Sequence, residues 1–595
     1  MSTKTKFFDF SNLKGDLLGG LTAGIVALPL ALAFGVKAFE ATAQIDGVDV
    51  EMATMAGAKA GLYGAMCISI LAALFGGTPT QISGPTAPMT TVSIKVIAAA
   101  IITLKVAEEA SGASLTGEDA MLHISALILA TFMFAGLLQI LFGVIKIGKF
   151  VKYIPQSVVS GFMSGIGVII IITQIFPFFD FTLPKEFQSG ISGTVDTLLN
   201  LGRIEFNWYA AATAGVTILI IYLLPRLTKI LPSALVALVV VSAGCAFVFT
   251  NGEIMLIPEI PAELPQIHTE VFYVFSSSEL MTILGFGTAL AFLGMIDSLL
   301  TSIVADNITK TKHNSDRELI GQGIGNTFAG LLGGLPGAGA TMRTVVNIDA
   351  GGKTKISGIV AGILILLVVL VAGPLVQYIP KSVLSGILIT VGIGIIDYRG
   401  IKQIGKIPKS DSVIMILVLL VTTFYSLIWA VVLGMAIASL NFMKTMSDIG
   451  KEKSSIDNIN SFKDELFWSE QGMLSENVSS QVFIKHLYGP LFFGFASSFS
   501  DLSKDMPDMK TIVIRFERVP YIDQSGFYAL ESAISDFKLN GCDVLFTGLE
   551  GQPKEFLEKI GLVPNVIDQE SIFKEFGTCA KYLKRTLTDS SGKIV

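Results

Sequence analysis

Apolar residues fill most of the first three quarters of the chain in blocks of about 20, the length a helix needs to cross a hydrocarbon layer. Val158 to Pro177, Phe206 to Pro225, Ile356 to Gln377 and Ser412 to Met443 carry no charge at all, and the last is long enough for two spans with a short turn. Further candidates lie at 17–37, 59–75, 86–101, 121–143, 230–250, 280–304, 317–333, 341–349 and 380–397. The pattern predicts about fourteen helical elements, two of them short, and so a polytopic α-helical membrane domain over residues 1–444. After Lys444 the pattern changes. Residues 445–480 are polar and charged and read as a linker. From 481 to 590, strand-like runs (Val482-Phe-Ile, Thr511 to Phe516, Asp543 to Thr547) alternate with helical stretches, Phe527 to Leu539 and Pro553 to Ile560. That alternation predicts a small soluble α/β domain.

The chain repeats itself. Tyr153-Ile-Pro-Gln-Ser-Val-Val-Ser-Gly161 recurs 225 residues later as Tyr378-Ile-Pro-Lys-Ser-Val-Leu-Ser-Gly386, with seven of nine positions identical. Gly76-Gly-Thr-Pro79 is echoed by Gly333-Gly-Leu-Pro336, each before a short Gly/Ala/Thr-rich segment. With about seven spans per repeat (roughly 14–225 and 275–444), the second copy enters the membrane inverted. Inverted repeats with short interrupted segments at matching places mark secondary transporters, whose sites lie between those segments.

Charge orients the chain. Lys4, Lys6 and Lys14 precede the first span; Lys146, Lys149 and Lys152 follow the fourth. Arg226 and Lys229, Lys310, Lys312 and Arg317, Arg399, Lys402, Lys406 and Lys409, and finally Lys444, Lys451 and Lys453 fall on the same side of a fourteen-span count. The opposite side carries Glu253, Glu259, Glu263 and Glu270. The excess of Lys and Arg on one side places both termini in the cytoplasm. The lysine-bearing start runs directly into the first apolar block, which reads as a helix rather than a cleaved leader. A net charge of −6 and the lack of a basic tract exclude a nucleic-acid partner. Cys67, Cys245, Cys542 and Cys579, and His123, His268, His313 and His486, are scattered rather than clustered, which excludes a disulfide framework, a zinc site and a metal enzyme.

The candidate chemistry lies in the short segments. Gln81-Ile-Ser-Gly-Pro-Thr86-Ala-Pro-Met-Thr90 and Gly337-Ala-Gly-Ala340-Thr341-Met-Arg343-Thr-Val-Val346 combine helix breakers with small polar residues. Broken helices survive in lipid only where they line a cavity. Two half-helix N-termini facing each other there offer N–H groups and partial positive charge to a small anion. The competing reading is close helix packing through small residues. Asp297 follows seventeen uncharged residues, Leu280 to Ile296, and therefore lies deep in the membrane. Thr301 is one turn away on the same face. A carboxylate, a hydroxyl and nearby carbonyls form a hard oxygen shell suited to Na⁺ or to a proton. Arg343 is either a source of positive charge at the anion site or a structural cation. In the soluble part, Asp523 is placed to cap the helix that follows.

These residues together resemble the sulfate permease (SulP) family of anion transporters. The resemblance rests on Gly76-Gly-Thr-Pro-Thr-Gln-Ile-Ser-Gly-Pro-Thr-Ala-Pro-Met-Thr90, Ile296-Asp-Ser-Leu-Leu-Thr-Ser302, Glu318-Leu-Ile-Gly-Gln-Gly-Ile-Gly-Asn326 and the run beginning at Gly337. It implies a fourteen-segment 7+7 inverted repeat, split into a core and a gate domain, usually dimeric, followed by a cytoplasmic STAS domain at 481–590. It also implies a multi-pass protein of the inner (plasma) membrane and no enzyme activity. Within the family the chain is most similar to the BicA type of sodium-dependent bicarbonate transporters. That similarity assigns sodium to Asp297, Thr301, Gly339 and Thr341, and the anion to Thr86; the second short segment adds Ala340, Thr341 and Arg343 as candidate anion-binding residues. The expected function is sodium-coupled bicarbonate uptake by elevator motion, with no cofactor beyond the coupling Na⁺. Many proton-coupled relatives carry glutamate where this chain has Asp297. Two departures are visible. Arg343 stands where the BicA type has a small residue and many sulfate and chloride relatives have arginine, which supports the alternative of a proton-coupled sulfate or dicarboxylate transporter. Gln524 stands where phosphoswitch STAS domains have serine, with Ser525 one place on. A channel or sensor signalling through the STAS domain is the alternative of another class.

Overall fold

The computed structural model describes residues 9–45, 48–111, 118–181, 206–228, 232–249, 253–259, 262–272, 275–425, 427–453, 456–458, 482–492 and 510–587. Lys4, Lys6, Lys229 and the linker stretch 459–480, all used in the sequence reading, lie outside these residues, as does position 481. The chain divides into two compact units, Met1–Met435 and Ala436–Val595.

Among the described residues, two sets of seven helices build the first unit, the last of them running on past its boundary at Met435, besides the short helices Ile175–Phe178 and Tyr398–Gln403. The first set is α1 (Leu13–Phe39), α2 (Val50–Phe75), α3 (Ala87–Ser111), α4 (Glu118–Val144), α5 (Gln156–Thr173), α6 (Trp208–Leu227) and α7 (Ser233–Val248). The second is α8 (Ser277–Thr309), α9 (Ser315–Leu331), α10 (Thr341–Asp349), α11 (Lys355–Ala372), α12 (Lys381–Ile395), α13 (Lys409–Phe424) and α14 (Leu427–Lys453). Two-residue strands precede the third member of each set: β1 (Ser83–Gly84) before α3 and β2 (Ala338–Gly339) before α10. Among the described residues nine helices are long and apolar enough to span a membrane, and two more are apolar but shorter. The others fall short for identifiable reasons: α10 is a nine-residue half-helix, α13 has 16 residues, and α9 is rich in Gly and carries Asp316, Arg317 and Glu318 in its first turn. The fourteen elements of the sequence reading are thus present, and the long uncharged run 412–443 breaks near Tyr425 into α13 and α14.

Local chemistry sets the helix starts. Asp49 caps α2 by accepting from Met52 N at 2.7 Å, and Asn314 caps α9 through Arg317 N at 3.0 Å. Ser276 and Glu279 form a reciprocal capping box at the head of α8. Large apolar side chains such as Leu219, Val240, Phe247, Val371 and Phe424 remain exposed on the outside of the unit, as lipid-facing positions do.

The helices pack in two groups, α1–α4 with α8–α11 and α5–α7 with α12 and α13, joined mainly through α1 and α3; Gly434 of α14 lies against Val158 and Val418 of the second group. The first group is the core and the second the gate of the 7+7 arrangement. In the core, α1 and α2 approach backbone to backbone. A Cβ on Gly61 would overlap the carbonyl of Ala31, and one on Gly35 the carbonyl of Gly57. Small residues at such crossings substitute for the hydrophobic drive that lipid removes.

The second unit holds a five-stranded sheet in the order β3 (Ile456–Asn458), β4 (Val482–Tyr488), β5 (Thr511–Arg518), β6 (Asp543–Thr547), β7 (Ile572–Phe573). β3 is antiparallel to β4 and the other pairs are parallel. Helices α15 (Gln524–Leu539) and α16 (Gly551–Ile560) accompany a large apolar cluster with Ile512, Ile514 and Phe546, and α17 (Phe576–Thr586) covers Ile484, Val513 and Leu545 on the other face. The three predicted strands and both helices are present, and Asp523 is the predicted cap of α15, accepting from Gly526 N at 2.7 Å. Two elements differ from the linker reading. Helix α14 continues to Lys453, because no proline interrupts the solvated stretch after Lys444, and residues 456–458 add an edge strand too short to register as a pattern.

Across β4 and β5, His486 stands opposite Arg515. Burial first, and then the positive charge of Arg515, pushes the His486 imidazole down to about 4. The folded domain therefore favours the neutral ring, and the unfolded chain takes up the proton near pH 6.5. This contribution to stability is present above pH 6.5 and is lost as pH falls toward 4. Hydrogen exchange in β4 to β6 of the full-length protein, corrected for intrinsic rates, is expected to accelerate across that window, and His486→Gln to flatten the slope. An unchanged slope in the variant would reject the assignment.

Candidate anion and cation site

The centre of the core is a crossing of two broken segments. β1 and β2 pair antiparallel, Ser83 opposite Gly339 and Gly84 opposite Ala338. The pair extends one step further, Ala340 N donating to Ile82 O at 2.9 Å. Each strand then turns into a half-helix. Thr86 O accepts from Thr90 N at the head of α3, and Ala340 O accepts from Thr344 N at the head of α10, both at 2.9 Å. Thr86 and Ala340 therefore occupy equivalent cap positions in the two repeats. The first-turn N–H groups of both helices have no intrahelical acceptor by construction, and the helix dipoles put partial positive charge there.

Helix α8 lies against this crossing with a polar stripe. Asp297, 8% exposed, accepts from Thr86 Oγ1 at 2.8 Å through Oδ2. Ser298 Oγ accepts from Gly339 N at 3.0 Å. Thr301 Oγ1 donates to Gly339 O at 2.9 Å and lies 2.8 Å from Thr341 Oγ1, which leaves Thr341 as the donor to Thr301. Ser302 donates to Gln81 Oε1 at 2.9 Å. Spacings of one and four residues keep all four side chains on one face. The sequence-derived residues thus fall into two groups on neighbouring turns of α8: Thr86 with Asp297, and Thr301 with Gly339 and Thr341. Five oxygen-bearing groups from both repeats meet here, a donor set suited to a hard cation. Among the described residues no three His, Cys, Asp or Glu side chains cluster as metal ligands, so these oxygens come from hydroxyls, a carbonyl and a single carboxylate.

Arg343 is only 2% exposed, and its Nη2 donates to Pro85 O at 2.7 Å. Its charge is within electrostatic reach of Asp297, but the two make no direct ion pair. Gly84, at φ +153°, leaves the room the guanidinium needs: a Cβ there would stand 2.7 Å from Nη1. Arg343 therefore sits against the strand crossing, and its one hydrogen bond among the described residues is directed at the turn that precedes Thr86.

The support for the crossing comes from residues to which the sequence reading gave no role. Glu318, 1% exposed, accepts from Gly77 N and Thr78 N at 2.8 Å with Oε2, and from Gln81 Nε2 (2.9 Å) and Gln322 Nε2 (2.8 Å) with Oε1. Asn326 donates to Gly337 O at 2.9 Å and accepts from Gly337 N at 2.8 Å. Asn347 donates to Thr80 O at 2.8 Å. Glu318, Gln322 and Asn326 lie four residues apart on one face of α9, a periodicity present in the motif at 318–326 that would have pointed to them.

Paired, oppositely entering repeats, broken helices at matching places and a polar centre between them define the class of secondary transporters. The sequence matches the sulfate permease family over residues 13–418 and the STAS domain over 475–578. The chain belongs to the sulfate permease family and is a multi-pass anion transporter; its relatives are transporters rather than enzymes. It is similar to the bicarbonate transporter BicA of Picosynechococcus sp., 39% identical over 572 residues that cover 94% of this chain and 93% of that protein. It is also similar to the putative sulfate transporter YvdB of Bacillus subtilis, 29% identical over 567 residues, 94% of this chain and 96% of that one. Among solved structures, the transmembrane domain of a cyanobacterial BicA matches with a TM-score of 0.60 at 40% identity, over 71% of this chain and 98% of that chain. Murine Slc26a9 in its inward-facing state shares the fold, with a TM-score of 0.77 at 20% identity over 97% of this chain and 92% of that one.

Removing Glu318 leaves two backbone N–H groups without an acceptor in a dry interior, which costs about 1–3 kcal/mol for each group. Glu318→Ala is expected to lower the thermal midpoint of the detergent-solubilised protein clearly. Glu318→Gln should cost less, because its amide oxygen still serves Gly77 and Thr78 while Gln81 and Gln322 can turn. Equal midpoints for both variants and wild type would contradict this role.

Proposed function

We propose that the chain carries bicarbonate into the cell together with Na⁺. The observation that carries this reading is the 2.8 Å bond from Thr86 to Asp297, which ties the candidate anion residue of one repeat to the candidate cation residue of the other. While Thr86 donates to Asp297, its hydroxyl proton is not available to an anion. A cation at Asp297 competes for that carboxylate and frees the hydroxyl to turn toward the head of α3. Thr301, Gly339 O and Thr341 complete the cation's oxygen shell once the Thr301 proton rotates off Gly339 O. A monovalent anion and a monovalent cation side by side also lower each other's desolvation cost, which couples the two without further machinery. Similarity to proteins named as bicarbonate transporters supports the substrate. The separate packing of core and gate suits an elevator motion in which the core carries the site past the gate. We place the protein in the plasma membrane as a homodimer with both termini cytoplasmic.

A second reading, proton-coupled transport of sulfate or a dicarboxylate, is favoured by Arg343, whose buried charge suits a divalent anion, and by the similarity to YvdB. Bicarbonate uptake into proteoliposomes is expected to require an inward sodium gradient and to accumulate the anion uphill, which a channel would not do. Asp297→Asn should abolish sodium dependence and lower uptake at least tenfold, because it removes the only formal negative charge in the cation's shell. Sulfate uptake driven by a pH gradient and indifferent to sodium would establish the second reading instead.

A further inference from the structure

A chamber of about 490 Å³ lies between core and gate, and its inner end is the first turn of α3. On the core side, Ala87, Thr91 and Lys95 line it at four-residue intervals, so one stripe of α3 runs from the half-helix N-terminus outward to an ammonium group. Eight residues of helix place Lys95 about 12 Å from Ala87. Two lysines line the chamber, and they differ. Lys37 is neutralised by Glu40 at 2.6 Å. Lys95 has no acidic partner among the described residues and is open to the chamber. A cation inside a membrane span is costly, and where it is kept without a counter-ion it marks an ion pathway.

The gate side of the wall supplies the second observation. Gln174, at the end of α5, and Thr422, on α13, are both almost fully buried, and Gln174 Nε2 and Thr422 Oγ1 make no hydrogen bond among the described residues. Two unpaired polar groups in one wall are a departure from normal satisfaction. Their residues line the wall across the chamber from Lys95, with the unpaired atoms enclosed just behind its surface, and Thr173 and Thr423 add hydroxyls beside them. Cation on one side and hydrogen-bond donors on the other are the recognition chemistry of a small oxyanion.

We propose that Lys95, with Gln174 and Thr422, forms a second anion site in this chamber, filled by the transported monovalent oxyanion on its way to or from the half-helix N-termini. The proposal rests on the anion-transport reading but not on which anion is carried or on sodium. One partner lies on the core and the others on the gate, so under the elevator motion proposed above the site exists only while the chamber is formed, and it acts on entry rather than on the coupled step.

The test is initial-rate uptake by full-length protein in proteoliposomes, run with bicarbonate and with sulfate, and read on whichever anion is carried. Lys95→Gln is expected to raise the KM for that anion about tenfold, the loss of one charge-assisted hydrogen bond. The maximal rate and the sodium dependence should stay at wild-type values, and Lys95→Arg should restore the KM. Gln174→Leu should raise KM in the same direction and, since it creates no charge, serves as the variant least prone to misfold. Unchanged KM in both Lys95→Gln and Gln174→Leu, in protein that remains monodisperse, would overturn the site. A fall in maximal rate with unchanged KM would overturn it too, and would make Lys95 a structural cation. Sulfate uptake without bicarbonate uptake would reject the proposed substrate while leaving this site to be judged on the sulfate KM.

Discussion

Peptide groups that leave a helix in the middle of a membrane have no water to turn to, and the core of this protein is organised around satisfying them. Two chain breaks, at 81–86 and 337–340, expose N–H and C=O groups at the same depth, and they are paired first with each other, through β1 and β2. What the short strands leave over is taken up by side chains: Glu318, Asn326 and Asn347 for the loops that lead in, and Ser298 and Thr301 for Gly339. The strand pair and the Glu318 and Asn347 contacts run between repeats and the others within the second, so the breaks are held rigidly although neither is helical. That rigidity lets two helix N-termini present their dipoles at fixed positions, the property an anion site needs.

The same arrangement explains why the candidate cation and anion groups are inseparable. Asp297 shares a proton with Thr86, and Thr301 shares one with Gly339 O. An ion that uses these oxygens competes with hydrogen bonds that hold the crossing together. The candidate ion groups are thus part of the core's own hydrogen-bond network. Arg343 places a positive charge against the crossing, where its bond to Pro85 O keeps it next to the Thr86 turn.

Much of this was legible in the sequence. Uncharged blocks gave the helices, the Tyr-Ile-Pro repeat gave the duplication, and Gly and Pro marked both breaks, because these signals are local and strong. Asp297 stood out because a carboxylate after seventeen uncharged residues has few structural explanations. The pairing of Thr86 with Asp297 was not legible, since 211 residues separate them and only the inverted duplication brings them together. Glu318, Gln322 and Asn326 were seen as a motif but given no role, because their partners are backbone groups, which leave no trace in side-chain composition. Helix α14 ran past Lys444 because solvated charge does not end a helix, whereas a change in polarity does end a hydrophobic pattern. The edge strand at 456–458 pairs three residues, too few for any periodicity.

The central claim is that the Asp297 and Thr86 sites exchange free energy. Equilibrium binding of bicarbonate to the purified full-length protein, measured across a series of sodium concentrations with potassium as the balancing ion, tests it most directly. The account requires that sodium tighten bicarbonate binding, that bicarbonate tighten sodium binding by the same factor, and that both effects vanish in Asp297→Asn. Bicarbonate affinity that is identical in sodium and potassium would contradict it.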